Sequence, residues 1–587
     1  MLTKKFLFLS LGITVFFMML LIACNKTNGV GPMGVKNDAT FTIYENNFLE
    51  ALWKLDPDAG TINGYHKYDS LLVIPNAKSR EAILNFVMLQ NDSLSRFESN
   101  KLTDANRIDY QIMQMQLEYM NWRITVLKQY EWDPSSYNVI GTFAYILNEH
   151  YAPLAKRLRN FYEKMDNIPA YYKEVEKELK NPVQELTDLA IEQHTNGLNV
   201  MEKDFADSLK KTNIPPNEQK KMLDRAHISV ETIKAFTAWL KTMKNDHPRS
   251  FRLGKEFYED KFKYQVQSSA NALQTFNAAV ERKKFIHREM TKISRQLWPK
   301  YFGKKTMPSD SLQMIAKVID TLSSKHVKAG EFQAAIEAQI PKLLAFVKTK
   351  DLLTIDPAKP LIIRKQPGYM SGVTVASETS PGPYDKQGNF YFDVSNPAEL
   401  APGKTESLLR EYNQYTLQLL CIHEAVPGHY VQQVYAQKSS LIKSIFGSTA
   451  TVEGWAVYSE QMMLDNGYDD APEMKLMWYK WHLRSICSTI LDYSVHTRDM
   501  NKEQAIQMLT HEAFQEQAEA EGKWKRVTVS SVQLDSYYVG YKEILDLRDA
   551  YKNKMGDKFK LKDFNEKFLG YGDAPVKYIK IAMLGSK

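Results

Sequence analysis

An almost unbroken helical pattern over residues 41–353 is the feature that most limits how this chain can fold. Apolar residues recur at i, i+3, i+4 and i+7, with charged residues on the opposite face. The clearest segments are residues 44–53, 83–97, 106–130 and 270–297. Turns such as Asp56-Pro57-Asp58 separate segments of this kind. Because such helices bury their apolar stripes against one another, the pattern predicts a mainly α-helical body.

The pattern changes between residues 358 and 396, where short runs resemble strands. Residues 361–363, 372–375 and 389–394 are apolar or alternating, and a turn-rich loop over residues 379–388 lies between the last two. We therefore expect a small β-sheet in this part of the chain.

A candidate metal site lies at the end of a helix predicted over residues 406–423. The sequence from Cys421 reads C-I-H-E-A-V-P-G-H-Y-V-Q and contains His423, Glu424 and His429. Neutral imidazoles bind zinc without cancelling its charge, and zinc lowers the pKa of a bound water molecule. A neighbouring carboxylate can accept the proton of that water. These residue types indicate a zinc hydrolase, with His423 and His429 as ligands and Glu424 as general base.

The two histidines are six residues apart, rather than four as in the usual H-E-x-x-H motif. On an ideal helix this spacing places them about 240° apart. Pro427 cannot donate a hydrogen bond within a helix, and Gly428 tolerates most backbone conformations. We therefore expect the helix to break at this pair, so that His429 turns back toward the metal. Coincidence is the alternative interpretation, so the motif needs support from elsewhere in the chain.

A second helix, predicted over residues 450–465, supplies a candidate third ligand. Glu453 and Glu460 are seven residues apart and share one face of this helix. Zinc sites with two histidines can take a glutamate as third ligand. Glu453 follows His429 by 24 residues, which leaves room for a loop and a returning helix. An ordinary surface glutamate is the alternative, although aromatic and apolar residues follow Glu453 closely.

The two motifs together resemble those of a known family. The first reads H-E-A-V-P-G-H from His423, and the second reads E-G-W-A-V-Y-S-E from Glu453. The pair is similar to that of the bacterial family called domain of unknown function 885. Members of that family look like zinc metallopeptidases of the gluzincin type and are often lipoproteins. The resemblance covers nearly the whole mature chain, and it implies that His423, His429 and Glu453 bind zinc and that Glu424 is the base.

A further stretch near the C-terminus resembles the family's Q-x3-Y-K-x-G segment. Gln533 corresponds to its glutamine and Tyr537 to its tyrosine. The Pro-Gly pair that usually precedes the glutamine is Ser531-Val532 here, and the family lysine is Tyr538. These departures leave the path of the loop before Tyr537 open.

Amide hydrolysis needs a hydrogen-bond donor for the developing oxyanion besides the metal. Tyr537 and His496, which ends another family-like segment, are the candidates for this catalytic role, and Tyr541 is a substitute one turn after Tyr537. The alternatives are core packing for Tyr537 and hydrogen bonds to last-turn carbonyl groups for His496.

Substrate-binding residues are expected in the last predicted strand and among the arginines. An extended peptide can pair with an edge strand beside a zinc site, which makes Phe390 and Tyr391 candidates. A purely structural hairpin is the alternative. Arg484, Arg498 and Arg548 are candidates for binding a substrate carboxylate, although most arginines are solvated or ion-paired.

The N-terminus has the features of a lipoprotein signal peptide over residues 1–24. An apolar run over residues 6–23 follows two lysines and ends L-I-A-C at Cys24, a lipobox whose cysteine would be lipidated. A signal anchor is the alternative, because the run is nearly long enough to span a bilayer. We expect residues 25–40 to form a flexible tether. The protein would then be exported and lipid-anchored, on the periplasmic or cell-surface side of a bacterial membrane.

Composition indicates a globular protein and argues against a nucleic-acid partner. The chain has 587 residues, 44% of them apolar and 25% charged, as in globular proteins with a substantial core. The formal charge of +7 is spread through mixed sequence without a nucleic-acid motif, which argues against a nucleic-acid partner. Cys421 and Cys487 are expected to be buried thiols rather than zinc ligands. Beyond the tether we expect a helical N-terminal half, residues 41–357, and a zinc-site half, residues 358–587.

These features predict a membrane-tethered zinc-dependent metallopeptidase that hydrolyses peptide bonds of oligopeptides. Its expected fold is a large helical body with a deep cleft and a small β-sheet next to the zinc-site helices. One alternative is a zinc hydrolase of another amide or ester, such as a cell-wall fragment. The other is a non-catalytic binding lipoprotein with a structural metal. Structural zinc usually has four protein ligands, so a fourth ligand such as His482 or His511 would favour that last alternative.

Overall fold

The computed structural model describes residues 37–243, 245–366, 375–385 and 387–585. The predicted signal peptide with Cys24, most of the predicted tether, and residues 372–374 of the second predicted strand lie outside the described residues. The first described helix begins at Asp38, inside the range predicted as tether, because the side chain of Asn37 caps it by accepting a hydrogen bond from the Thr40 N–H.

Helices form most of the described chain before the sheet, and the predicted mainly α-helical fold is confirmed. They are α1 (Asp38–Leu55), α2 (Pro57–Ile62), α3 (Ala77–Ser95), α4 (Asp104–Trp122), α5 (Ile140–Asn148), α6 (Leu154–Met165), α7 (Ile168–Glu178), α8 (Gln184–Gly197), α9 (Lys203–Leu209), α10 (Pro216–Thr242), α11 (Gly254–Gln265), α12 (Ala272–Phe302), α13 (Ser311–Ser323), α14 (Phe332–Glu337) and α15 (Ile340–Thr349).

A three-stranded sheet follows, as predicted from the change of pattern. Its strands are β1 (Leu361–Lys365), β2 (Ala376–Thr379) and β3 (Phe390–Val394), in the order β1-β3-β2. β1 is parallel to β3, and β2 is antiparallel to it, with Glu378 opposite Phe392. β2 is therefore an outer strand, and it contacts the two helices that carry the His423 motif.

The chain then returns to helices. They are α16 (Pro402–Glu411), α17 (Thr416–Glu424), α18 (His429–Ala436), α19 (Leu441–Phe446), α20 (Thr449–Asp465), α21 (Pro472–Thr497), α22 (Lys502–Gln507), α23 (Gln517–Val529), α24 (Ser536–Met555), α25 (Leu561–Leu569) and α26 (Val576–Leu584).

The single helix predicted over residues 406–423 is wrong, because α16 and α17 are separated at residues 412–415. Asn413 is fully buried in this break, and its Oδ1 accepts hydrogen bonds from the N–H groups of Tyr415 and Thr416. An asparagine that satisfies backbone donors in this way competes with the continuous helix and starts a new one.

Both predicted halves contribute to one large core. Phe41 of α1, Ile112 of α4 and Leu343 of α15 belong to the same buried cluster as Trp455 and Tyr541. A second buried cluster is formed mostly by residues 137–240, where Phe143, Phe161, Phe205 and Phe236 pack. The predicted boundary after residue 357 therefore does not divide the core. None of the described helices is long and apolar enough to cross a membrane.

Candidate metal centre

The His423 motif forms a helix, a tight loop and a second helix. α17 ends at Glu424, and α18 begins at His429, so the expected break at Pro427-Gly428 is present. Gly428 is required in this loop, because a Cβ atom there would lie 1.9 Å from the carbonyl oxygen of His423 and 2.3 Å from that of Ile422. The Gly428 N–H donates to the Ile422 carbonyl at 3.0 Å.

The second motif holds this loop in place. The indole Nε1 of Trp455 donates a hydrogen bond to the Pro427 carbonyl at 2.9 Å, and the Ser459 hydroxyl lies 3.5 Å from the same oxygen. Both residues belong to α20, the helix that also carries Glu453. The two sequence motifs therefore form one structural unit.

Three predicted ligands converge. Glu453 Oε2 lies 3.4 Å from His429 Nε2 and 3.7 Å from His423 Nε2, and the donor atoms of the three residues all lie within 4.8 Å of one another. Ligands about 2.1 Å from a tetrahedral zinc ion are about 3.4 Å apart, so this arrangement fits the metal. The side chain of His423 is 10% exposed, that of His429 11% and that of Glu453 17%. The cluster is therefore partly accessible to solvent.

The charge state of the cluster also fits a bound cation. Burial alone would lower the pKa of His423, but the Glu453 and Glu460 carboxylates raise it to about 10. Burial alone would raise the pKa of Glu453, but the two imidazoles lower it far below its usual value. The carboxylates and the imidazoles thus stabilise each other's charged forms, which keeps negative charge on Glu453. His429 Nδ1 is buried and has no hydrogen-bond partner among the described residues.

Glu460 orients the first ligand, a role that we did not predict. His423 Nδ1 donates to Glu460 Oε1 at 2.7 Å, which leaves Nε2 to face Glu453. Trp481 Nε1 donates to the same oxygen at 2.9 Å, and Glu460 is 1% exposed. A carboxylate behind a metal-binding histidine is a common arrangement in zinc sites. The seven-residue spacing from Glu453 was the available sequence signal, because it puts both carboxylates on one helix face.

The predicted general base contacts the outer strand. The backbone N–H of Glu378 in β2 donates to Glu424 Oε2 at 3.1 Å. Burial raises the pKa of the Glu378 side chain to about 8, and the Glu424 charge contributes in the same direction. Glu378 is therefore a second carboxyl group near the base, and no sequence motif indicated it.

Tyr537 lies in the first turn of α24, which packs against α20 because two glycines let these helices touch. A Cβ atom on Gly540 of α24 would lie 1.6 Å from the Ala450 carbonyl oxygen, and one on Gly454 of α20 would lie 2.3 Å from Gly540. Tyr537 precedes Gly540 by one turn, and Glu453 precedes Gly454 by one residue. Burial, followed by the Glu453 charge, raises the pKa of Tyr537. Its phenol is therefore a hydrogen-bond donor at neutral pH.

His496 has a structural environment rather than the predicted catalytic one. Its Nε2 lies 3.0 Å from the carbonyl oxygens of both Val527 and Ser530, and its Nδ1 accepts the Leu253 N–H at 3.4 Å. Both ring nitrogens therefore hold loops together. Tyr541, the substitute candidate, bonds Gln461 and Arg282 across helices.

Phe390 and Tyr391 do not lie on an edge strand as expected, because β3 is the central strand of the sheet, and the predicted substrate-binding side chains are engaged elsewhere. Phe390 is 1% exposed and packs on Tyr430, because position 390 of β3 faces the core. Tyr391 is covered by the Arg364 guanidinium, 3.6 Å from its ring centre. Arg484 pairs with Glu411 at 3.2 Å and Glu519 at 2.7 Å.

The two other arginines are occupied as well. Arg498 lies over the ring of Phe276, and Arg548 pairs with Asp549. These side chains are ion-paired or packed on a ring, in line with the alternative interpretation for arginines.

Neither proposed fourth ligand joins the cluster within the described residues. His482 is buried between the rings of Trp478 and Tyr541, and His511 is exposed and bonded to Thr510. Cys421 and Cys487 are buried free thiols, as predicted.

Comparison with known proteins identifies the family. The family model described as bacterial protein of unknown function (DUF885) matches residues 57–583. The chain belongs to this family. No curated protein matches it significantly.

Two solved structures share the DUF885 fold. A candidate lipoprotein of unknown function from Shewanella oneidensis is 46% identical and has a TM-score of 0.85; the match covers 93% of this chain and 99% of that one. A candidate lipoprotein from Colwellia psychrerythraea has a TM-score of 0.75 over 93% of this chain and 98% of that one. At 15% identity, this second likeness concerns the fold alone.

The loop before Tyr537, where the sequence departs from the DUF885 pattern, is fixed by hydrogen bonds to Asp492. Val532 occupies the position of the usual glycine and has a left-handed backbone conformation, with φ of 71°. This conformation costs a residue with a side chain about 1–2 kcal/mol. The Asp492 carboxylate stabilises it by accepting the N–H groups of Val532 at 2.9 Å and Leu534 at 3.1 Å.

Proposed function

We propose that this protein is a membrane-tethered, zinc-dependent metallopeptidase that cleaves oligopeptides. The observation that carries the proposal is the convergence of His423, His429 and Glu453 within 4.8 Å, with Glu424 next to the first ligand. Two histidines and a glutamate are the ligand set of several catalytic zinc sites. Because no fourth ligand joins them within the described residues, a coordination position remains for water or substrate.

Each residue has a defined task in this proposal. Zinc bound at this site would lower the pKa of a water molecule and polarise the scissile carbonyl group. Glu424 would accept the proton of the attacking water and donate it to the leaving amine. The Glu378 N–H, bonded to Glu424 Oε2, holds the carboxylate in position. The Tyr537 hydroxyl would donate a hydrogen bond to the carbonyl oxygen as its negative charge develops, an effect worth about 2.7–4 kcal/mol.

The outer strand favours a peptide over other amides and esters. β2 lies at the edge of the sheet, and its main chain contacts the general base at Glu378. An extended peptide added alongside such a strand is held by main-chain hydrogen bonds, largely independent of its sequence. A substrate without a repeating amide backbone could not use this support.

The membrane tether is proposed from the lipobox at Cys24. The description of the 46% identical protein from Shewanella oneidensis as a candidate lipoprotein supports it. Such a protein would act outside the cytoplasm, on peptides in the periplasm or at the cell surface.

The proposal is tested with the mature chain, purified in detergent. Wild type, Glu424→Gln and the exposed control Glu503→Gln are compared for bound metal and for cleavage of a random peptide library by mass spectrometry. We expect near-stoichiometric zinc in all three proteins and a rate at least about 100-fold lower in Glu424→Gln alone. Equal turnover in Glu424→Gln, or wild-type protein without zinc, would overturn the proposal. Cleavage of cell-wall fragments instead of peptides would point to another amide or ester substrate.

A further inference from the structure

Arg526 is a cation beside the candidate active site, and it pairs with no carboxylate of the described residues. It is exposed on α23, and its Nη2 donates to Gln533 Oε1 at 2.6 Å and lies 3.5 Å from Tyr537 Oη. Within the described part of the chain, these two neutral groups are its hydrogen-bond partners, and it forms no ion pair. The rest of its planar set of N–H donors is available to a ligand.

Tyr537 links Arg526 to the metal centre. The close contact of Gly454 with Gly540 brings the start of α24 against Glu453. Tyr537 therefore feels the charge of the proposed zinc ligand Glu453 and has the Arg526 guanidinium 3.5 Å from its hydroxyl. A group bound by Arg526 would contact the same tyrosine that we propose acts in hydrolysis.

Nearby carboxylates do not neutralise this cation. Glu411 is paired with Lys480 at 2.8 Å and with Arg484 at 3.2 Å. Glu519 is paired with Arg484 at 2.7 Å. Both carboxylates are thus paired with Arg484, so Arg484 is a poorer candidate for substrate binding than Arg526.

A second basic residue adds to the positive charge. Lys523 lies one turn before Arg526 on α23, and its ammonium donates to the Ser488 hydroxyl at 2.9 Å. No ion pair joins Lys523 to a carboxylate of the described residues. Lys523 is partly buried and, like Arg526, pairs with no carboxylate of the described residues, so the two residues add positive charge to the same helix. Burial, followed by the Arg484 charge, lowers the pKa of Lys523 to about 8, so it is still mostly charged at neutral pH.

We propose that Arg526, with Tyr537 beside it, binds a carboxylate of the peptide substrate. The guanidinium fork matches a carboxylate with two parallel hydrogen bonds. The bound carboxylate has two sources in a peptide. One is the C-terminal carboxylate, which would make the enzyme act near the carboxyl end of peptides. The other is an acidic side chain near the scissile bond. The proposal rests on the metallopeptidase function and specifies its substrate class.

A binding experiment tests the subsite without requiring turnover. Two zinc-loaded proteins are compared: Glu424→Gln, and the same protein with Arg526→Gln added. Each is equilibrated with two libraries of random hexapeptides, one ending in a free carboxylate and one ending in an amide. A third library consists of amides with one fixed glutamate. The matched control is Lys525→Gln, which removes the same charge one residue away, from a lysine paired with Glu192 at 2.7 Å. Retained peptides are quantified by mass spectrometry.

We expect acids to be retained about 10-fold or more over neutral amides, with this preference lost in Arg526→Gln and kept in Lys525→Gln. If only the glutamate-containing amides are retained over neutral amides, and Arg526→Gln abolishes this, the subsite binds an acidic side chain. The subsite is overturned if all libraries are retained equally or none is retained. It is also overturned if the preference for acids survives Arg526→Gln.

Cleavage by the protein with Glu424 intact separates this inference from the proposed function. Equal cleavage of acids and all amides, unaffected by Arg526→Gln, refutes the subsite and leaves the metallopeptidase. Conversely, Arg526-dependent retention without any cleavage upholds the carboxylate site and refutes the peptidase.

Discussion

At the scale of single residues, Gly428 decides whether the two histidines can meet. In Gly428→Ala, the new methyl group would collide with the backbone of His423, one of the proposed ligands. We expect the loop to shift, with zinc affinity at least about 10-fold lower and unfolding free energy lower by about 1–3 kcal/mol. Chelator competition and chemical denaturation measure the two effects.

Gly522→Ala is the matched control, because a Cβ atom there meets no atom within 4 Å. In the middle of α23 it should stabilise the protein by about 0.5–1 kcal/mol and leave zinc binding unchanged. Unchanged zinc affinity in Gly428→Ala would show that this loop does not determine the position of His429.

Glu460 would act on the proposed metal through His423, to which it is hydrogen-bonded. In Glu460→Gln the neutral amide no longer matches the charge that orients and polarises the His423 ring, so we expect zinc affinity to fall about 10–100-fold. Competition with a coloured chelator measures the affinity, and the melting temperature shows whether the fold is retained. Glu406→Gln, an exposed position on α16, is the control. Equal affinity in Glu460→Gln and wild type would contradict the orienting role.

At the scale of helices, the contact between α20 and α24 assembles the site. In Gly540→Ala the added methyl group has no room against the Ala450 carbonyl, so the two helices must separate. We expect a loss of about 1–3 kcal/mol in unfolding free energy, and a lower kcat because Tyr537 moves away from Glu453. Gly141→Ala, where a Cβ atom meets no neighbour, is the control. A variant with normal stability and activity would mean that the helices tolerate a wider separation.

At the scale of the whole molecule, a buried charged cluster joins the two predicted halves. Glu45 of α1 and Asp109 of α4 lie beside Lys443 of α19, and the Lys443 ammonium is 2.7 Å from Asp109. Burial, assisted by the Asp109 charge, raises the pKa of Glu45, and burial also raises the pKa of Asp109. The folded protein therefore binds protons here more tightly than the unfolded chain.

This linkage predicts how stability depends on pH. The contribution of Glu45 is fully present below the pKa of an unfolded glutamate, about 4.3, and is lost as pH rises through its raised folded pKa. Glu45→Gln imitates the protonated form, so we expect it to equal wild type near pH 4 and to be more stable at pH 9. Each unit of pKa difference is worth about 1.4 kcal/mol.

Denaturation of both proteins between pH 4 and 9 checks this expectation. Glu81→Gln, an exposed position on α3, should give a curve parallel to that of wild type. A difference between Glu45→Gln and wild type that stays constant with pH would contradict the buried linkage.

The helical fold, the small sheet and the converging set His423, His429 and Glu453 were all predicted from the sequence. Helices follow from local periodicity, and the ligands follow from residue types whose chemistry suits zinc at short spacings along the chain. The break before His429 was also predictable, because proline and glycine act on their own backbone.

Tertiary structure alone decided the surroundings of these residues. Glu460 behind His423, Glu378 against Glu424 and Arg526 next to Tyr537 are contacts between distant parts of the chain. They depend on how closely α20 and α24 approach and on where β2 meets α17. A local sequence pattern does not determine these distances between elements. The same reason explains why His496 and Phe390 were assigned to the site wrongly: their residue types suited the chemistry, but the packing of their elements turned them toward the core.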